Sequence, residues 1–268
     1  MAAKPDMTAI AAPQPVATLR RGVPYWLESY WALTRWHLAG LRMWVMLLVV
    51  IQIMAGAGFV LGIGLFFAHI PPVAALYVCT GVPVINLIMI GMILGPQLVA
   101  QQKLQQSYDF VRSMPVPQTA AALAWYTVCL LAGLPAVVVS LLIAEARYGI
   151  ALTVSPAIVP AVLLTAFTGT MIGYGLGHAV PNPMVTQLVT QLLVFAIFGF
   201  TPILFPAWQL PHWLATLNWW FPFEHMAVIV RAGLTAGLVT GVASSYLIVA
   251  VWAVIGSAAA AWALGRRG

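Results

Sequence analysis

Glu224 and His225 stand side by side in "WWFPFEHMAVIVRAGL", an acid next to a base, and are the first place to look for chemistry. General acid–base catalysis needs such groups poised beside a substrate. The pair is isolated, however. The sequence holds no H-E-x-x-H motif and no G-x-S-x-G elbow, so a structural or interfacial role is the favoured reading. No G-x-x-x-x-G-K-S/T phosphate loop occurs, so the chain does not itself hydrolyse ATP by that route. Cys79 and Cys129 lie inside apolar runs and read as small buried hydrophobes rather than a disulfide or metal ligands.

The polar side chains within the long apolar runs are uncharged: Gln52, Asn86, Gln97, Thr186, Gln187 and Gln191. A proton- or sodium-coupled transporter needs an ionisable group near mid-membrane, where it is costly and therefore functional. Glu145 and Arg147 sit only at the end of a run, where a local salt bridge or headgroup contact explains them. With no handle on an ion gradient, the energy for any work is expected from a partner. The polar island "QQKLQQSYDFVRSMPVPQT", residues 101–119, is where a partner would touch. Tyr108, Phe110, Val111 and Met114 offer an apolar edge, and Asp109 and Arg112 offer charge. An aromatic anchor with a polar rim suits a protein interface, while an amphipathic helix resting on lipid headgroups is the alternative. Pro115 and Pro117 end any helix there and stiffen the link to the next apolar run.

The elements that hold these residues follow from composition. The chain is 63% hydrophobic and 6% charged, with a mean hydropathy of +1.00, against roughly 25% charged residues in a soluble domain. It cannot cover a globular surface with solvated groups, so its solvent is lipid. Apolar runs of about 20 residues match helical crossings of a ~30 Å core, and they do not alternate as barrel strands would. The fold class is therefore an all-α polytopic membrane protein. Its six spans fall at about 44–68, 73–99, 120–144, 153–177, 185–205 and 239–264. The net charge of +6 does not signal nucleic acid, because the basic residues gather at span ends rather than in a run.

Residues 1–21 read as a disordered tail without a cleavable signal, and 22–268 as one membrane domain. In 22–42, Glu28, Arg35 and Arg42 share one helical stripe. Trp26, Tyr30, Leu33, His37 and Leu41 fall opposite, the pattern of a helix lying in the membrane interface. Residues 206–232, proline-broken and rich in Trp, read as a hairpin dipping into the outer leaflet. With both termini in the cytoplasm, Lys4, Arg20, Arg21, Arg35, Arg42, Lys103, Arg112, Arg266 and Arg267 lie inside, and only Arg147 and Arg231 lie outside. That bias sets the orientation and makes residues 101–119 cytoplasmic.

Three stretches resemble the permease subunits of ABC-2-type transporters, exporters whose ATPase is often a separate chain. They are "YVCTGVPVINLIMIGMILGPQLVAQQ", "FVRSMPVPQTAAALAWYTVCLLAGLPAVVVSLL" and "GYGLGHAVPNPMVTQLVTQLLVFAIFGFTPILFPAWQLPHWLATLNWWFPFEHMAVIVRAGL". The last is the most specific. It has a Gly-rich span end, an Asn-Pro turn, a span, then Pro206, a hairpin at Leu210 to Leu214 with Trp208 and Trp213 about it, Pro222, and Arg231 near the end. Family members often open the cytoplasmic loop with an acidic residue and a Gly-Thr pair, and enter the third span with a Lys. This chain has glutamines there, and Trp125 near the Lys position.

The resemblance implies an ABC-2, type V exporter-like fold, with 22–42 as the connecting helix and 101–119 as the coupling helix. Tyr108, Asp109, Phe110, Arg112, Met114 and Pro115 would meet the ATPase. Spans one, two and five would line the substrate path, with Gln52, Asn86, Gln187 and Gln191 as candidates, although interhelical hydrogen bonds explain such residues as well. Phe195, Phe198 and Phe200 would form an apolar outer gate, with core or lipid contact as the plainer reading. The implied assembly is two permeases, identical or homologous, with two cytosolic ATPase subunits in a bacterial cytoplasmic membrane. No cofactor belongs to this chain; ATP and Mg would sit on the partner. The expected cargo is a drug, antibiotic or lipid-like molecule moved outward. A polysaccharide or glycolipid exporter on the same plan, and a membrane assembly subunit without transport, are the rival readings.

Overall fold

The computed structural model describes residues 22–40, 42–66, 71–106, 108, 114–150 and 152–265. Among these, six helices are long and apolar enough to cross a membrane. They are α2 (Arg42–Phe66), α3 (Pro72–Leu104), α4 (Gln118–Tyr148), α5 (Ile158–Ala179), α6 (Pro183–Phe200) and α9 (Val242–Gly265). The helix α1 (Val23–Gly40) precedes them, and α7 (His212–Trp220) and α8 (Pro222–Leu234) form a hairpin between α6 and α9. An all-helical fold is what lipid demands, because each helix satisfies its own backbone. The expected tail 1–21, with Lys4, Arg20 and Arg21, lies outside the described residues, as do Leu41, Arg266 and Arg267.

Where the element ends differ from the sequence reading, the reasons are local. The second span runs on to Leu104, so the first residues of the polar island are its last turn. Gln and Lys are good helix formers, and Lys103 finds partners there. Midway, Met89–Leu94 is a π-helical turn, closed by the Gly95 N–H donating to the Ile90 carbonyl. It ends two residues before Pro96, which has no N–H to give the preceding turn, and a wide turn absorbs that loss. The fourth span starts at Ile158, later than expected, because residues before it pair with the end of α8. Thr153 N–H donates to the Leu234 carbonyl at 3.0 Å and Ser155 N–H to that of Gly233 at 2.9 Å. α4 ends at Tyr148 and is capped by Gly149, whose φ of +61° supplies the left-handed conformation.

The core is built on α3 and α5. A side chain at Gly91 would lie 2.7 Å from the Thr170 nitrogen, one at Gly177 would lie 3.1 Å from the Pro96 Cα, and one at Gly173 would enter the Gly91 carbonyl. The two helices thus meet backbone to backbone, the close approach that small residues permit in membranes. α9 closes on α5 in the same manner, with Gly256 against Ile172 and Gly175 against Ala260. By contrast α4 meets α3 through side chains, with Gly133 against Leu87 and Ile90. The α3–α4 connection and the α5–α6 turn lie at one end of the bundle, called here the basic end. The α7–α8 hairpin marks the other.

Candidate functional site

At the basic end, the chain leaving α3 is held on both sides of residues 109–113. On one side Lys103 Nζ donates to the carbonyls of Gly177 and Val180, both at 2.7 Å. These are among the last carbonyls of α5, which have no partner within their own helix, and a cation is favoured at that negative end. The Lys103 ammonium also lies 5.0 Å from the centre of the Tyr108 ring. Tyr108 is buried. Its ring faces His178 at 5.7 Å, and His178 lies 4.1 Å from Tyr174. Tyr108 is thus turned into the helix bundle rather than offered on its surface. Between the two, Gln106 reverses the chain with a φ of +58°.

On the other side, α1 grips the entry to α4. The Tyr25 hydroxyl donates to the Pro115 carbonyl. Trp26 Nε1 donates to Thr119 Oγ1 at 2.9 Å, and the Tyr30 hydroxyl meets that of Thr127 at 2.8 Å. His37 lies edge-on to Trp125 at 5.2 Å, and burial pushes its imidazole down to about 4, so it stays neutral there. The face of α1 expected to sink among headgroups therefore packs on α4, because its aromatic rings find ring and hydroxyl partners there. Leu27 and Trp31 remain exposed on the flank beside the charged stripe, leaving an apolar edge for lipid. Met114 is half-buried and Pro115 exposed. Asp109, Phe110, Val111 and Arg112 lie outside the described residues.

Within the bundle, Gln52 and Asn86 come together. Gln52 Nε2 donates to the Asn86 carbonyl oxygen at 3.3 Å, and both residues are buried. Gly56 makes room for this contact, since a Cβ there would lie 2.7 Å from Asn86 Nδ2 and 3.3 Å from Ser140 Cβ. Asn86 Nδ2 has no hydrogen-bond acceptor among the described residues. Gln187 and Gln191 are not part of this knot. They are exposed on α6 beside Leu188, Leu192 and Phe195, while Thr186 and Thr190 on the same helix are buried. Gln97 Nε2 donates to Thr190 Oγ1 at 3.2 Å, linking α3 to α6. Near the hairpin end Phe198 stacks on Phe59 of α2, with ring centres 5.2 Å apart.

Arg231, counted from sequence among the outer charges, is 2% exposed. Its Nε donates to Thr80 Oγ1 at 2.9 Å, and an Nη donates to the Ile203 carbonyl at 2.7 Å. Its guanidinium lies 4.0 Å from the centre of the Tyr77 ring, a cation–π contact. The fork of donors suits this use: one side chain fastens α8 to the start of α3 and to the loop leaving α6. Gly81 completes the junction, its missing side chain leaving space for the Ile203 carbonyl. Pro222 starts α8 and is buried. Trp208 and Trp213 are exposed, as hairpin residues at a membrane surface would be. His225 is a strut: Nε2 donates to the Trp219 carbonyl at 2.9 Å, leaving Nδ1 to accept from the Ser245 hydroxyl at 3.0 Å. Both ring nitrogens are engaged, so His225 has no free nitrogen to act as a base.

Sequence reasoning missed Lys103 as a clamp, Arg231 as a buried knot, and the glycines that face them. The spacing of Gly169, Gly173 and Gly177, four residues apart, was the available signal for the α3–α5 contact. A family model described as ABC-2 family transporter protein matches residues 73–262, from the first turn of α3 to near the end of α9. No curated protein matches the chain.

Proposed function

Since the chain belongs to the ABC-2 family of membrane transport subunits, which work with ABC ATPases, we propose that it is the permease of an exporter driven by a separate ATPase. Two copies, or this chain and a homologue, would assemble with two ATPase subunits that carry ATP and Mg. The basic end faces the cytoplasm of a bacterial cell, and residues 101–119 dock into the ATPase through Asp109, Phe110, Arg112 and Met114. The observation that carries this reading is the anchoring on either side of residues 109–113, by Tyr108 on α5 and by the Pro115 carbonyl on α1. A polar segment held so is placed to transmit force rather than to trail.

The substrate path runs along α6. Gln187 and Gln191 on its exposed face would each leave an amide in hydrocarbon, which costs several kcal/mol. A second permease or a path for cargo must therefore cover that face. The neutral amides and apolar neighbours favour an amphipathic or lipid-like cargo, moved outward by alternating access. Purification in mild detergent tests the reading. The wild-type permease brings down a chain with a phosphate loop, while the Asp109→Ala, Arg112→Ala double variant inserts and folds but loses it. Recovery of no nucleotide-hydrolysing chain with the wild type would sink the proposal.

A further inference from the structure

The segment after α3 has two exits into the bundle, and they differ in kind. One leads through Pro115 and Pro117 to α4, which carries α1 on its surface. The other leads through Tyr108 and Lys103 to α5. The Lys103 ammonium is held by two carbonyls from the end of α5, at 2.7 Å each, and the Tyr108 ring lies against both Lys103 and His178 of α5. Beyond that point α3 and α5 cannot slip independently. Gly177 lies on Pro96, Gly173 on Gly91, and Gly91 on Thr170, in each case with no room for a Cβ without displacement. α9 is joined to α5 in the same close manner at Gly256 and Gly175. Packed backbone does not repack continuously as side chains can. The contact of α4 with α3 is of the second sort, side chain against side chain.

We propose that Lys103 is a positioning residue that joins the segment after α3 to the end of α5, so that displacement at Tyr108 moves α3, α5 and α9 as one body against α1 and α4. This rests on the reading of the chain as an ATPase-driven permease. It adds a route that the proline link to α4 alone does not provide. Lys103 serves through geometry and charge together. Its stem spans from the last turn of α3 to α5, and its ammonium satisfies two carbonyls at the end of that helix.

The test uses the intact complex with its co-purified ATPase, reconstituted in lipid vesicles. Nitroxide labels at Val159, exposed near the start of α5, and Leu142, exposed toward the far end of α4, report the distance between the two bodies by pulsed electron resonance. In the wild type, ATP with vanadate shifts that distance. In Lys103→Met the ATPase still binds and hydrolyses ATP, but the shift is lost; Lys103→Arg restores it. If Lys103→Met does not fold, Tyr108→Ala, which leaves the carbonyl clamp in place, carries the test and is expected to reduce the shift by at least half, by order of magnitude of a lost anchor contact. A full shift in Lys103→Met overturns the assignment of Lys103, and a full shift in Tyr108→Ala, where that variant carries the test, overturns the route from Tyr108 into α5; both leave the exporter reading intact. A wild-type complex that hydrolyses ATP without any shift overturns the two-body motion itself. Absence of any ATPase partner overturns the exporter reading and this inference with it.

Discussion

α3 and α6 are both apolar enough to cross a membrane, yet 78% of the most apolar stretch of α3 is buried inside the protein, against 17% of that of α6. Hydropathy does not separate them, because lipid tails are as apolar as leucine and give no reason for one greasy helix to seek another. The difference lies in side-chain size. α3 presents Gly81, Gly91 and Gly95 to its neighbours and accepts a loop carbonyl, a helix backbone and the Trp125 indole there. α6 presents Met184, Leu188, Leu192 and Phe195 outward. Of these two helices, the central one has glycines at its contacts with neighbours and the peripheral one turns large side chains outward.

That contrast breaks most readily at the α3–α5 contact, where the largest effect is expected. Gly173→Leu puts a side chain into the Gly91 carbonyl and the Met92 Cα, and neither can yield without parting the two helices. The expected outcome is loss of monodisperse protein on size-exclusion chromatography in detergent. A folded Gly173→Leu variant would show that the glycine contact is incidental and that burial of α3 has another cause.

The Arg231 junction comes next. Arg231→Met keeps most of the stem but removes the donors to Thr80 and Ile203 and the charge over Tyr77. Hydrogen bonds made by a charged group contribute about 1.5–3 kcal/mol each. Part of that returns when the buried charge goes with them, so a net loss of about 3 kcal/mol is expected. Reversible unfolding in mixed detergent measures it. Arg231→Lys should recover less than half, because an ammonium lacks the planar fork that reaches both partners. Equal stability of Arg231→Met and wild type would place the hold on α3 in the glycines alone.

Much of this architecture was legible in the sequence. Six apolar runs, prolines between them and the Trp-rich stretch before the last run give the spans and hairpin, because length and composition decide what crosses a bilayer. The depth of individual residues was not legible. A charge count at span ends treats Arg231 as an outer charge, since it sees loop position and not the carbonyls that fold back over the side chain. Tyr108 reads as an anchor for a partner, and only the placement of α5 shows His178 occupying that ring. The aromatic stripe of α1 is visible as a stripe, but a period of 3.6 residues does not say whether lipid or α4 meets it. Gln52 and Gln187 look alike as amides in apolar runs. One is tied to Asn86 in the bundle and the other faces outward, which depends on helix rotation about an axis that composition does not set.

The smallest effect on the fold, and the sharpest on the comparison, is expected from α6. Leu188 and Leu192 stand one turn apart on its exposed face. Replacing both with Ala in the isolated permease removes area that lipid or detergent refills, so no cavity forms and the cost stays within about 0.5 kcal/mol, as for other surface changes. The same double change should still weaken association between two permeases. Gln187 and Gln191 flank these leucines, and a face bearing two amides is poorly matched to lipid. Cross-linking of the purified protein in native lipid then falls for Leu188→Ala, Leu192→Ala while the unfolding midpoint holds. If the midpoint drops and the cross-linking does not, α6 is a core helix in this chain after all. The contrast with α3 would then be one of degree, set by side-chain volume rather than by what each helix faces.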